Sequence, residues 1–438
     1  MNQEVVHTMS SPLKAIVVGA GHRSLLYASY AEDHPDELEI VAVADPLGYR
    51  RDEGARRFRL PQDRCFATAD EVAAQPKFAD VAINGTMDHQ HVATSLPLLR
   101  AGYDLLLEKP FATSEAEMWQ LVEAAHAHGR RVMICHVLRF APFYAAIRRR
   151  VLDGGIGEIL SLETVEHVSY HHMAVGYIRG KWARRRHGYA SMLMAKCCHD
   201  LDLIAWMKSG IAPSAVASFG SNFQFTPEKA PAGAGTRCLV DCPIEPECLY
   251  SARKHYLDHP DRWAFYVWDS LEPLGTPTLE DKVASLKGDN PYGRCVWRCD
   301  MEVVDHQSVV IDFADGSTAT HSMVGGASKP MRSMHLIGTR GEIEGIFEEQ
   351  RFAIRRINPR PGCEYDEELV DLTVGDDLHG TAGGHGGGDL ALVGDFVRVV
   401  RGEAPSISTT NLDDSVAGHL IGFSADRAME ERRVVSLT

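Results

Sequence analysis

Lys14 to Val18 is a short β-branched run that stops at Gly19-Ala20-Gly21, and no other stretch constrains the chain as much. The segment after it, to Asp33, is compatible with a helix, and Leu38 to Ala44 is a second apolar strand closing on Asp45. This is the pattern of a β-α-β unit. In such a unit the glycines permit a tight turn and close backbone approach to a pyrophosphate, whose charge sits at the helix N-terminus. The acidic residue ending the second strand accepts hydrogen bonds from ribose hydroxyls. Gly19 and Gly21, with His22 and Arg23 behind them, are therefore candidate cofactor-binding residues, and Asp45 is expected to favour NAD over NADP. The third glycine position of the motif is Ser24, which loosens the demand for close packing of helix on sheet.

Further strands are expected at Val81 to Asn84 and Asp104 to Glu108, with a helix from Gln90 to Ala101 between them, so the sheet should be parallel and covered on both faces. Ligands of open α/β sheets bind beyond the carboxyl ends of the strands. Thr86, Asp88 and His91 fall at that edge as cofactor candidates, although Thr86 or Asp88 as a helix cap is an equal alternative. Glu108 and Lys109 fall there too. Pro110 biases Lys109 to an extended backbone, and this position makes an otherwise ordinary lysine a catalytic candidate.

At 438 residues the chain exceeds one compact core, and 45% hydrophobic residues with 8% aromatics can fill two. A net charge of -15 argues against a nucleic-acid partner or an anionic membrane surface, both of which require clustered Lys and Arg. No basic-then-apolar leader precedes Pro12, and no window approaches the eighteen or so apolar residues of a spanning helix. A cytoplasmic protein acting on a small molecule is expected, with its 10 cysteines as thiols or metal ligands.

A later helix is expected from Ser191 to Trp206, on the spacing of Leu193, Met194, Cys197, Leu201 and Ile204. Lys196, His199, Leu203 and Trp206 then share a face, with Asp202 one step from His199. A carboxylate beside an imidazole favours its charged form, whereas Lys196 would oppose it.

Taken together, Gly19-Ala20-Gly21 with Asp45, Thr86-Met87-Asp88-His89-Gln90-His91, Ala101-Gly102 leading to Glu108-Lys109-Pro110, Arg139-Phe140 with Pro142, Gly154 to Ile159, and His199-Asp200-Leu201-Asp202 resemble the Gfo/Idh/MocA family of NAD(P)-dependent sugar and polyol oxidoreductases. The resemblance covers nearly the whole chain. It implies an α/β fold: an N-terminal Rossmann dinucleotide-binding domain (residues 1–137) and a C-terminal substrate-binding and oligomerisation α/β domain (138–438) on a large open mostly antiparallel sheet, assembled as a homodimer or homotetramer. It also implies that Lys109 polarises the reacting hydroxyl or carbonyl while His199 moves its proton as general acid/base. Two departures stand out: Met87 replaces the proline usual after the threonine, and Ala195 the acid that many members carry four positions before the histidine.

Between about residues 222 and 300 lies a Cys-rich insertion, with Cys238, Cys242 and Cys248 before an expected Leu249 to Leu257 helix, then Cys295 and Cys299. Structural zinc on Cys238, Cys242, Cys248 and Cys295 is one account, buried free thiols another and an iron-sulfur site a third. Substrate candidates are Arg139, Tyr170, His172, Trp182, Lys196, His306 and His385, chosen because aromatics mixed with cationic and imidazole groups suit sugar rings. His385 sits in a glycine cluster before an expected Leu390 to Val400 helix. An NAD-dependent dehydrogenase of a sugar, sugar derivative or cyclitol is the expected function. A glycosidase that oxidises transiently and a non-catalytic sugar sensor on the same fold are the alternatives, and the pairing of Lys109 with His199 speaks against the sensor.

Overall fold

The computed structural model describes residues 11–185, 188–259, 262–373 and 387–437. The chain divides into two compact units. The first contains residues up to Phe111, Ala116–Phe140 and Gly387–Leu412; the second contains Ala112–Glu115, Ala141–Gly386 and Asp413–Thr438.

The first unit is a six-stranded sheet of β1 (Leu13–Val18), β2 (Leu38–Ala44), β3 (Cys65–Phe66), β4 (Val81–Asn84), β5 (Asp104–Leu107) and β6 (Val132–Ile134). All neighbours are parallel, in the order β3-β2-β1-β4-β5-β6. The order reverses between β1 and β4, which places the ligand-binding switch point of such sheets at their carboxyl ends. Continuous apolar strands bury both faces, as the sequence implies: Ile16, Val17, Val81, Leu105 and Leu106 are fully buried.

The sequence assigns everything after residue 137 to the second domain, and here the structure differs. The helix Gly388–Val400 buries Leu392, Val393, Phe396 and Val397 against Tyr27, Tyr30, Leu38 and Ile40 of the first unit. Behind it the chain runs beside β6, where Ile134 N donates to Thr410 O (2.9 Å) and Thr410 Oγ1 donates to Ile134 O (2.6 Å). An amphipathic helix declares that it needs a core without declaring which one.

The second unit is built on a nine-stranded sheet: β7 (Ile159–Ser169), β8 (Pro213–Ser221), β9 (His306–Phe313), β10 (Thr318–Ala327), β11 (Met331–Gly338), β12 (Gly341–Ile346), β13 (Arg351–Ile357), β14 (Tyr365–Asp371) and β15 (Val435–Ser436). Its order is β14-β13-β12-β11-β7-β10-β9-β8-β15, antiparallel throughout except for β7 with β10. β9 alternates buried and exposed residues, so one face is packed and the other open. Helix Met192–Met207 covers the packed face. Ser191 caps it, accepting from Met194 N (3.2 Å), and the helix Leu412–Glu431 lies so close behind that a Cβ on Gly418 would stand 3.1 Å from the backbone of Asp202.

The insertion lies between β8 and β9 and has little regular structure. The expected Leu249 to Leu257 helix is absent; the chain turns after Cys248 and makes only a single wide coil, Arg253–Leu257. Around it Ala252, Tyr256, Val267, Trp268, Leu286 and Tyr292 form a small core of their own.

His321 of β10 is buried, its Nδ1 paired with Thr164 Oγ1 of β7 at 2.9 Å. Burial holds its pKa at about 4, with Glu166 pulling it up and Arg332 pushing it down. The folded imidazole is thus neutral where an unfolded one, with a pKa of about 6.5, takes a proton. Its contribution to stability is complete above about pH 6.5 and is lost as pH falls towards 4. His321→Gln is expected to lose less melting temperature than the parent between pH 7 and pH 4.5; equal losses in thermal melts would remove His321 as an acid-sensitive element.

Candidate active site

The carboxyl edge of the first sheet gathers Gly19, Gly85 and Glu108, because β1, β4 and β5 pair in register at Val18, Asn84 and Leu107. Gly19 has φ +77°, and a Cβ there would stand 2.8 Å from Thr86 N, so only glycine fits between the two loops. The Ser24 departure is compensated from the opposite side. A Cβ on Gly85 would collide with Ser24 Oγ, so the glycine required for close packing stands on the facing loop.

Asp45 is buried at the end of β2, where Oδ2 accepts from Ala20 N (2.8 Å) and Oδ1 from Leu47 N (2.9 Å). Its carboxylate thus ties the glycine turn to the second strand. Arg51 Nη1 donates to the Asp45 carbonyl (2.6 Å).

Arg23 serves differently from the expected cofactor contact. Its Nε pairs with Glu108 Oε1 (2.8 Å), its Nη2 with Asp389 Oδ1 (2.6 Å), and Tyr27 OH lies against both Arg23 and Glu108. Glu108 Oε2 accepts from the Lys109 backbone N (2.8 Å). Burial alone would raise the Glu108 carboxyl; Arg23 and then Lys109 outweigh it and hold its pKa at about 2. A permanently ionised Glu108 therefore anchors the backbone that carries Lys109. Asp389, supplied by the returning helix, completes this cluster, and its distance of 366 residues from Arg23 hid it from sequence reasoning.

His91 also braces the edge. Its Nδ1 lies 2.7 Å from Pro110 O and its Nε2 3.1 Å from Thr86 O, joining the Lys109 loop to the Thr86 loop. Thr86 Oγ1 donates to Asn84 Oδ1 (2.9 Å), so its hydroxyl closes the turn. Asp88 is buried in the short turn Asp88–Gln90 ahead of the helix. Arg139 is buried in the first unit, its Nη1 on Thr409 O (3.3 Å), a tie to the returning segment.

In the second unit His199 lies buried on the helix Met192–Met207. Lys196, expected to oppose a charge on His199, is neutralised from the sheet: its Nζ stands 3.3 Å from Glu166 Oε1 of β7. Arg332 Nε of β11 contacts Glu166 Oε2 (2.5 Å) and Asp200 Oδ1 (3.3 Å). Burial lowers the Lys196 pKa, Arg332 adding to the effect, while burial and Glu166 raise Asp200 to about 7. Glu166 thus supplies a carboxylate where position 195 has none, and Lys196 belongs to a buried four-membered ion cluster. Among the described residues, Cys197, Asp200 and His321 have ligand atoms all within 4.8 Å of one another. The two cations already beside Asp200 and Glu166 fill the electrostatic role a metal would have there.

Tyr170, His172 and Trp182 form one aromatic wall. Tyr170 meets Tyr250 and His255, His172 stacks on Trp263 with ring centres 4.2 Å apart, and Trp182 meets Tyr266 edge-on at 5.4 Å. Lys181 Nζ lies over Trp182 at 4.4 Å. Half of this wall comes from the insertion, whose aromatic density from Tyr250 to Trp268 was the available signal. His306 stands at the start of β9 with Nδ1 on Asp305 Oδ1 (2.8 Å), and His385 lies outside the described residues. The thiols of Cys238, Cys242, Cys248 and Cys295 line one small cavity, though no three of them fall within 4.8 Å of one another.

Residues 13–136 match the Gfo/Idh/MocA family, described as an oxidoreductase family with an NAD-binding Rossmann fold. The N-terminal domain belongs to that family. Over 321 residues the chain is 24% identical to YteT of Bacillus subtilis (strain 168), covering 72% of each. It is 28% identical over 199 residues to an inositol 2-dehydrogenase of Acidothermus cellulolyticus, spanning about half (52%) of that protein. A solved structure of levoglucosan dehydrogenase with NADH and L-sorbose shares the fold, at a TM-score of 0.67 and 17% identity over 98% of this chain and 100% of that one. No helix among the described residues is long and apolar enough to cross a membrane.

Proposed function

We propose that this protein is an NAD-dependent dehydrogenase of a sugar, sugar derivative or cyclitol. The observation that carries the proposal is the edge at which Gly19, Asp45 and the Glu108-Lys109 backbone converge, held in place by buried contacts that leave little freedom. This cradle fits a dinucleotide: the backbone at Gly19 admits no side chain, and Asp45 ends the second strand. NAD, when bound, supplies the hydride acceptor or donor. Lys109 holds and polarises the reacting oxygen through its Nζ, and His199 accepts or returns that oxygen's proton. The aromatic wall of Tyr170, His172, Trp182 and Trp263 offers apolar faces to sugar rings, and Lys181 offers a donor to their hydroxyls. The similarity to an inositol 2-dehydrogenase supports the substrate class. The test is a panel of sugars and cyclitols with NAD, followed by NADH absorbance; a panel that yields NADH with no member while NAD binds would reject the reading.

Cofactor choice follows from Asp45. A carboxylate at the end of β2 repels the 2′-phosphate of NADP; of the two nearby cations that could offset it, Arg51 donates to the Asp45 carbonyl and Arg50 reaches the glycine turn, 3.7 Å from where a Cβ on Gly21 would stand. NAD is expected to bind at least about tenfold more tightly, a difference of about 1.4 kcal/mol. Comparable affinities by calorimetry would defeat the assignment.

A further inference from the structure

We propose that Cys238, Cys242, Cys248 and Cys295 are the four thiolate ligands of a structural zinc ion that holds the insertion together. The first observation is convergence. The four residues come from two stretches of chain and line a single cavity of about 10 Å³, the room of one small atom or water. An isolated antiparallel bridge between Arg237 and Arg294 sets them side by side: Cys238 N donates to Gly293 O (3.0 Å) and Cys295 N to Thr236 O (2.9 Å).

The second observation is how the sulfurs are held. Tyr250 N, two residues beyond its cysteine, donates to Cys248 Sγ (3.3 Å). The fifth cysteine of the segment behaves otherwise. Cys299 points its Sγ at the Cys295 carbonyl (3.3 Å) as a donor and does not line the cavity.

The third observation is charge. Arg179 is buried, and its guanidinium donates to Arg294 O (2.7 Å), Tyr250 O (2.7 Å), Tyr256 OH (3.2 Å) and Cys238 Sγ (3.5 Å). No carboxylate among the described residues pairs with it. A buried guanidinium without an anion is costly, and four thiolates around a divalent ion carry the compensating negative charge. The insertion also needs a staple, having a small core and only short coils around it.

The sulfurs stand wider than in a loaded site, where zinc–sulfur bonds of about 2.3 Å keep them about 3.8 Å apart. Metal uptake therefore draws the turns at 238–248 and 295 inward around the cavity and releases the thiol protons.

Elemental analysis of the full chain, purified under reducing conditions and reconstituted with zinc, is expected to give about one zinc per chain. Cobalt substitution should give the intense sulfur-to-cobalt charge-transfer absorption of thiolate ligation. Cys242→Ser and Cys248→Ser should each cut metal content at least about tenfold, whereas Cys197→Ser, on the helix Met192–Met207, should keep it. Should the insertion variants not fold, a mercurial titration of the wild-type protein decides: zinc release should track modification of four thiols. Zinc below roughly a tenth of an equivalent, iron in its place, or loss of zinc with Cys197→Ser but not with Cys242→Ser would overturn the site.

Discussion

Lys109→Met and His199→Ala should each lower turnover by roughly 10² to 10⁴ while leaving NAD affinity within a few fold. Lys109 follows β5 at the carboxyl edge, and its backbone is anchored by Glu108, which Arg23 and Tyr27 fix in turn. The Lys109 side chain can therefore be removed without disturbing the turn at Gly19 or the Asp45 contact to Ala20, on which the adenosine half depends. His199 belongs to the other unit, on the helix Met192–Met207. A general acid or base contributes mainly to the transition state, so kcat should fall in proportion to kcat/KM while the dissociation constant of NAD stays put. Near wild-type turnover in both variants, on a substrate that reduces NAD, would end the catalytic assignment and move attention to His306.

The largest stability loss is expected at Arg332. Its guanidinium contacts Glu166 and Asp200, two carboxylates buried between the sheet and the His199 helix, and Lys196 alone cannot neutralise both. Arg332→Leu should cost about 3 to 5 kcal/mol, because it strands buried charge instead of removing a pair together. That corresponds to a fall of roughly 10 °C in melting temperature. Replacing Arg332, Glu166 and Asp200 together by apolar residues of similar volume should recover most of the loss. A single variant melting within about 2 °C of the parent would show that Asp200 and Glu166 find other means of neutralisation.

The nucleotide edge was largely legible in the sequence because its signals are local. β2 and β4 run over the residues that their apolar patterns indicate, and Ser191 begins the His199 helix as its cap. What sequence reasoning missed depends on partners remote in the chain. Lys196 looked like a charge opposing His199 because Glu166 lies 30 residues earlier on a strand. The Arg23 pairing with Asp389 is illegible locally because Asp389 comes from far downstream. The brace from His91 to the Pro110 carbonyl is illegible too, because a carbonyl partner cannot be read from side chains. The insertion cysteines stand out in the sequence by their density, whereas the role of the buried Arg179 beside them depends on contacts the sequence does not display.

The excursion of residues 387–412 into the first unit bears on the order in which the protein is made. The nucleotide-binding sheet is synthesised first, yet Leu392, Val393, Phe396 and Val397 fill its core, and they leave the ribosome after some 250 further residues. Until then Tyr27, Tyr30, Leu38 and Ile40 present an open apolar surface, the kind of site that chaperones hold on a nascent chain. Cutting the gene at residue 137 should for the same reason yield an insoluble fragment, and solubility should return when a peptide spanning 387–412 is co-expressed with it.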